Sequence, residues 1–262
     1  MADADDLLKQ GDLSGARAAL VAQVKAAPSD PEPRMFLFQL MCIQGDWDKA
    51  AIHLRTLAEL DPAAAILAGV YSKAIGGEKL RADVFAGKSA PVALVSGVGW
   101  MDTLIEALAA FARADREKGE ELRDAAFDAA GDTPGTLNGE TIDWVADADP
   151  RFGPCFEAMI GGRWGLMPFE AVESITTEGP KDLRDLVWLQ ATITLTSGSV
   201  AAGLLPVRYP GSERDQDPAV QLGRTTVWRD TPIGEVGLGQ KLWTASTGSE
   251  VGLLSLRDLK LT

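Results

Sequence analysis

The sequence predicts a two-part α+β protein, in which a tetratricopeptide-like array of helical repeats is followed by a mostly β domain. Two observations indicate this: a 34-residue repeat in the first half, and short β-rich runs in the second half. The composition agrees, since 46% of the 262 residues are hydrophobic and 24% are charged, as is usual for a globular protein. We therefore expect one or two domains with a sizeable core.

The repeat becomes visible when the chain is compared with itself at an offset of 34 residues, the length of a tetratricopeptide unit. Gln-Gly-Asp at residues 10–12 recurs at residues 44–46, where each glycine is expected to end a helix in a tight turn. The other matched pairs are Leu13 with Trp47, Ala16 with Ala50, Leu20 with Leu54, and Pro28 with Pro62. Two units are too few for a stable array, so further helices should follow.

Three more helical segments are expected, over residues 63–86, 100–114 and 117–130. Gly76 and Gly77 predict a break in the first of them. A cluster of turn residues from 131 to 135 then predicts the end of the helical part. We assign residues 1–130 to the helical domain, 131–137 to a linker, and 138–262 to the β domain.

The β domain is predicted from short runs that glycines and prolines separate, at residues 163–169, 186–195, 201–207 and 251–256. Five of the seven tryptophans also lie in this half. We expect the domain to be compact and mostly β, with a small barrel as one candidate form.

The charge excludes several classes of function. With 25 Lys and Arg against 38 Asp and Glu, the net charge is −13, which disfavours binding to nucleic acid or to an anionic membrane. No apolar run is long enough to span a membrane, and the acidic start does not resemble a secretory signal. Cys42 and Cys155 have no metal-binding spacing, and we expect both to be reduced thiols in the cytoplasm.

Few residues are available for catalysis. The one histidine, His53, falls in a predicted repeat helix rather than beside a cleft, which disfavours a Ser or Cys hydrolase with a histidine base. Asp143, Asp147 and Asp149 are candidate ligands of a divalent cation, but the EF-hand spacing is absent and a solvated turn is favoured. Residues 82–89 resemble a phosphate-binding loop, but in a helical context that does not fit one. We expect no metal and no cofactor.

Two sets of residues are candidates for binding a protein partner. The first set combines the arginine and aromatic side chains that dominate interface energetics: Arg184, Trp188, Arg208, Tyr209, Arg224 and Trp228. The same set also fits internal braces, in which arginines pair with Asp182, Asp185, Glu213 or Asp230. The second set is the inner face of the repeat helices near Met35, Gln39 and Cys42. Residues 1–149 carry 14 basic against 25 acidic residues, so a surface in this half would bind a basic helix best. We therefore favour the β domain as the surface that binds the partner.

Several segments distributed over nearly the whole chain carry a family resemblance. The most specific is Val-Arg-Tyr-Pro-Gly-Ser-Glu at residues 207–213. The others are residues 33–40, 81–87, 122–127, 164–169, 182–188, 224–228 and 237–240. In these segments the chain resembles the ImpE family, also called TagJ or SciE-type proteins, which are accessory components of bacterial type VI secretion systems. Lys241 and Leu166 depart from the residues that are common in the family at those positions.

The resemblance implies a cytoplasmic interaction protein rather than an enzyme, associated with the contractile sheath of the secretion system. Some members of the family bind an N-terminal helix of the small sheath subunit, which makes that subunit the expected partner. An amphipathic helix laid in an apolar groove would be the mode of binding. The alternative function is a histidine-independent hydrolase that uses the loop from Arg208 to Glu213 together with Asp182 or Asp185.

Overall fold

The computed structural model describes residues 4–262, so the first three residues of the predicted helical domain lie outside the described residues. Four helices form the two repeats: α1 (Ala4–Lys9), α2 (Leu13–Ala26), α3 (Pro31–Ile43) and α4 (Trp47–Leu60). Gly11 and Gly45 separate the helices of each pair with φ angles of +82° and +67°, which other residues rarely adopt. Ala16 and Ala50 are fully buried where the helices cross. The predicted helical repeat is therefore confirmed.

Three further helices complete the helical half: α5 (Ala65–Phe85), α6 (Gly99–Ala112) and α7 (Arg116–Ala129). The predicted break at Gly76 and Gly77 does not occur, and α5 continues through both residues. A Cβ atom on Gly77 would lie only 3.0 Å from the terminal carbon of Met159 and 3.3 Å from Cβ of Trp164. This glycine therefore allows the helix to approach the β half closely instead of ending the helix. No helix in residues 4–262 has both the length and the apolar character that crossing a membrane requires.

The second half is mostly β, as predicted. Its strands are β1 (Gly135–Leu137), β2 (Glu140–Ile142), β3 (Val145–Asp147), β4 (Cys155–Ile160), β5 (Arg163–Pro168), β6 (Val172–Thr176), β7 (Trp188–Leu195), β8 (Val200–Pro206), β9 (Thr226–Thr231), β10 (Gly234–Gly239), β11 (Leu242–Ala245), β12 (Glu250–Gly252) and β13 (Asp258–Leu261). A short helix, α8 (Pro218–Gln221), precedes β9. The first strand begins at Gly135, within the segment predicted to be a linker. The strand predicted from residue 186 begins at Trp188, because residues 183–186 form a 3-10 turn.

Eight strands form the main sheet in the order β2-β1-β13-β6-β7-β8-β4-β5, while β9 pairs with β10 and β3 joins β11 and β12. The main sheet is open, so the candidate barrel is not formed. Its edge strand β5 pairs with a segment of the helical half instead: the N–H of Leu94 donates to the carbonyl of Leu166, whose own N–H donates to the carbonyl of Val92, each over 2.8 Å. Because this segment covers the edge, β5 has no free side with which to close on β2.

The helical and β halves share a hydrophobic core. Met159, Trp164 and Trp188 of the sheet are buried together with side chains of α3, α4 and α5. On the other side of β5, the helices α6 and α7 pack against Phe152 and Leu166 of the β half. The β half therefore takes the place of additional repeats in burying the open side of the helical array.

Candidate partner-binding site

A buried ionic network joins α5 to the sheet. Arg81 of α5 donates from Nε and Nη2 to the two carboxylate oxygens of Glu157 on β4, over 2.5 and 2.7 Å. Glu157 also accepts the indole N–H of Trp164 at 3.0 Å and lies 3.0 Å from Nζ of Lys241. Lys241 in turn donates to Asp147 over 2.9 Å. All of these charged side chains are buried, so each needs its partner in place, because an unpaired buried charge is strongly destabilising.

Burial and neighbouring charges act in opposite directions on the carboxylates of this network. Burial alone would raise the pKa of Glu157, but the positive charges of Arg81 and Lys241 outweigh it and lower the pKa to about 2. For Glu78, which lies one turn from Arg81 on α5, burial prevails and raises the pKa. Burial also raises the pKa of Asp147, against the charge of Lys241. Of these three carboxylates, Glu157 is thus the one whose charged form the interior favours.

Glu157→Gln is expected to reduce the dependence of stability on acidic pH. The pKa of Glu157 falls from the ordinary 4.5 to about 2 on folding, so its ionised form stabilises the fold above pH 4.5 and this contribution is lost as the pH falls to about 2. At about 1.4 kcal/mol per pH unit, the contribution is about 3 kcal/mol. Urea unfolding between about pH 3 and pH 6 measures it, and the gap between wild type and variant should narrow as the pH is lowered. A gap of constant size would mean that Glu157 does not titrate in this range, and Glu173→Gln on the exposed side of β6 is the control.

Two of the predicted partner-binding arginines cap helices of the repeats. Arg208, which is 5% exposed, donates to the carbonyl of Ile43 over 2.7 Å and to that of Cys42 over 3.3 Å, at the end of α3. Arg224 donates to the carbonyls of Leu8 and Lys9 at the end of α1, each over 3.4 Å. The capped positions are equivalent in the two 34-residue repeats. Both arginines therefore donate to helix-end carbonyls, of which those of Leu8 and Cys42 also accept the N–H groups of Gly11 and Gly45.

The aromatic members of the same set are also engaged inside the molecule. Trp188 is fully buried, packs against Tyr71 of α5 at 5.6 Å between ring centroids, and donates its indole N–H to Glu78 over 3.0 Å. Tyr209 is fully buried and donates its hydroxyl to Asp147 over 3.0 Å. The half-buried ring of Trp228 lies against it, at 5.7 Å between centroids.

Arg184, the remaining member of the set, pairs with Asp182 and lies over the ring of Tyr71 at 4.9 Å. The structure therefore engages all six side chains of this set within the chain. A partner that docks on the folded surface does not reach the three buried ones, namely Trp188, Arg208 and Tyr209.

The loop from Arg208 to Glu213 offers no open nucleophile. Ser212 is fully buried, and its hydroxyl donates to the carbonyl of Tyr209 over 2.6 Å while accepting the N–H of Gly239 at 2.8 Å. Asp185 accepts the backbone N–H groups of Lys181 and Asp182 with a single oxygen, over 2.7 and 3.0 Å. These residues hold turns in place.

The remaining chemistry-bearing residues have partners of their own. His53 is half-buried in α4, where burial and the charge of Arg34, whose guanidinium is 3.5 Å away, lower its pKa. Asp149 pairs with Arg151 at 2.6 Å, and Asp147 pairs with Lys241. Within residues 4–262, no group of three potential metal ligands is present.

An open groove runs along α3, and it includes two residues of the second predicted set. Met35 and Gln39 line it with Phe36, while Cys42 is buried beneath Arg208 and takes no part. The other apolar lining residues are Leu8 of α1, Leu57 of α4, Ala64, and Leu183 from the β half. The groove has a volume of about 580 Å³, and we refer to it as the α3 groove.

The spacing of residues along α3 indicates one face of this groove. Glu32, Met35, Phe36 and Gln39 lie at positions i, i+3, i+4 and i+7 of one helix, and therefore on one face. In a repeat helix such a face would be assigned to the core, yet all four side chains are half-buried or exposed. Leu8, Leu57 and Leu183 could not be assigned to the same groove before the helices were placed.

A second and larger groove, of about 770 Å³, lies between α5 and the exposed face of the main sheet, and we call it the α5 groove. Ile66 on its rim is 82% exposed. Its sheet side carries the exposed polar residues Gln190 and Thr192. Because burying polar groups without partners opposes binding, the apolar floor of the α3 groove is better suited to an amphipathic helix.

Comparisons with known proteins agree with this architecture. The family model described as tetratricopeptide repeat matches residues 7–73, and the model described as ImpE protein matches residues 139–260. The chain is also 41% identical over 256 residues to the type VI secretion system accessory component TagJ of Pseudomonas aeruginosa, covering 98% of this chain and 90% of that protein. This chain belongs to the ImpE family.

A similar fold has been observed experimentally in another protein. An X-ray crystal structure of a protein from Vibrio parahaemolyticus superposes with a TM-score of 0.88, covering 99% of this chain and 97% of the other. The two sequences are only 22% identical, so the likeness establishes a shared fold. The arrangement of helical repeats against an open sheet is therefore common to both proteins.

Proposed function

We propose that this chain is a cytoplasmic accessory component of a type VI secretion system, and that it acts as an adaptor. Its partner in this proposal is the small subunit of the contractile sheath, bound through an N-terminal helix of that subunit. The relationship to TagJ of Pseudomonas aeruginosa over 98% of the chain carries the first part of the proposal. The proposal assigns no catalytic step to the chain.

The α3 groove supports the second part. Its floor is formed by a half-buried face of α3, and the positions of Met35, Phe36 and Gln39 fit the way in which an amphipathic helix places side chains into a groove. None of the six residues of the other predicted set lines the α3 groove or the α5 groove, and its central residues Trp188 and Tyr209 are buried.

The full chain is expected to capture the intact small sheath subunit of its own secretion system in a pull-down, and to lose it when the first helix of that subunit is deleted. Met35→Ala should weaken the capture, since Met35 lies on the groove floor. Ile66→Ala in the α5 groove is the matched control, because it removes an apolar side chain from a surface that the proposal leaves unoccupied.

Equal capture of the intact and the shortened subunit would contradict recognition of the helix. Loss of capture in Ile66→Ala, with Met35→Ala unchanged, would move the binding site to the α5 groove. Failure to capture either form of the subunit would contradict the proposed partner.

A further inference from the structure

The rim of the α3 groove is acidic. Asp5 of α1, Glu32 of α3 and Asp61 after α4 line it, and no lysine, arginine or histidine among residues 4–262 does so. Asp5 pairs with Lys9 at 2.6 Å, and both side chains are exposed. In the described part of the chain, neither Glu32 nor Asp61 forms an ion pair. The apolar floor is therefore flanked by Glu32 and Asp61, which form no ion pair within residues 4–262, and by Asp5, which is paired with Lys9.

The nearest arginine on α3 points to other partners. Arg34 donates to the carbonyl of Pro28 over 2.7 Å and contacts His53, so its charge is directed away from the groove. The surrounding half of the chain is acidic as well, with 14 basic against 25 acidic residues in 1–149. An acidic ligand would be repelled both at the rim and on approach, whereas a basic ligand would be attracted.

We infer that the segment bound in the α3 groove is an amphipathic helix whose apolar stripe is flanked by lysine or arginine side chains. The inference rests on the proposed function and adds the chemistry of the ligand to it. The stretch from Glu32 to Gln39 rises by about 10 Å, so the bound helix needs about two turns with apolar residues at i, i+3 or i+4, and i+7. Its basic residues face the rim carboxylates on both sides of that stripe.

The test is the affinity of the full chain for the intact small sheath subunit, measured by calorimetry at low and at high salt. Raising NaCl from about 50 mM to about 500 mM should weaken binding by about tenfold or more, because contacts between exposed charges are screened. Glu32→Lys should weaken binding by about tenfold at low salt, with little further effect at high salt.

The matched control is Glu117→Lys. Glu32 and Glu117 are both exposed and are both the second residue of their helices, α3 and α7, so the two substitutions change the net charge and the helix start alike. Glu117 does not line the α3 groove. Glu117→Lys should therefore leave the affinity for the sheath subunit near that of the wild type.

Three results would overturn the inference: affinity that is independent of salt, no effect of Glu32→Lys, or an equal loss in Glu117→Lys, which would show only the overall field of the protein. Any of these, combined with loss of binding on deletion of the partner's first helix, would leave the proposed function standing. Absence of binding by the intact subunit would instead contradict the proposed function, and the inference with it.

Discussion

Arg81→Met is expected to lower the free energy of unfolding by about 3–5 kcal/mol. The substitution leaves the buried carboxylate of Glu157 without its bidentate partner. It also removes the hydrogen bond that Arg81 donates to the backbone carbonyl of Arg208 over 2.8 Å. This bond connects α5 to the loop whose Arg208 side chain caps α3. Lys241 remains beside Glu157, so one cation is left for the carboxylates of Glu157 and Asp147. Chemical denaturation at neutral pH measures the loss.

Lys79→Met is the matched control for Arg81→Met. Lys79 lies on the same helix and pairs with Asp48 at 2.6 Å, but both of these side chains are exposed, so the cost should stay below about 1 kcal/mol. Adding Glu157→Leu to Arg81→Met should recover part of the lost stability, because it removes the unpaired charge. A loss in Arg81→Met no larger than in Lys79→Met would contradict a stabilising role for the buried network.

Trp188→Ala is expected to destabilise the protein by about 3–5 kcal/mol, as is usual when a large buried aromatic side chain is truncated. The ring of Trp188 fills the space between the sheet and the helices, and it contacts Trp47 of α4 and Tyr71 of α5 with centroid distances of 5.8 and 5.6 Å. Truncation leaves a cavity and removes the indole donor of the buried Glu78. The melting temperature and the urea midpoint should both fall.

Trp144→Ala makes the same chemical change at a position where the side chain is 39% exposed. Its cost should be about 1 kcal/mol or less, since no cavity forms in the core. Comparable losses in the two variants would mean that Trp188 is not the central packing residue between the halves. Loss of affinity for the sheath subunit in Trp188→Ala, with an unchanged melting temperature, would instead support its role as a binding residue.

The helical repeat could be predicted because its signal is local. Each residue of the pattern is required by its local structure: glycine by the turn, alanine by the helix crossing and proline by the end of the unit. The spacing of Gly11 and Gly45 then gives the period of the repeat. The continuity of α5 could not be predicted in the same way. Gly77 is needed because Met159 and Trp164 pack against it, and they lie far away in the sequence.

The candidate site was harder to predict because interface residues and internal braces have the same composition. Arginine beside tryptophan is typical of a binding surface, and equally of a contact between two halves of one chain. Trp188 and Arg208 turn out to lie at such an internal contact. The open face of α3 was hard to predict for the opposite reason. Met35 and Phe36 lie on a surface groove, but apolar residues at helical spacing are typical of the core.

The arginine caps on α1 and α3 bear on the stiffness of the repeats. In an array of helical repeats each unit contacts only its neighbours, so the array can bend along its length. Here Arg224 and Arg208 anchor the ends of α1 and α3, which both line the α3 groove, to the same β half. In the proposed complex, a bound helix would therefore meet helices that are already anchored, and the entropic cost of recognition would fall mainly on the partner.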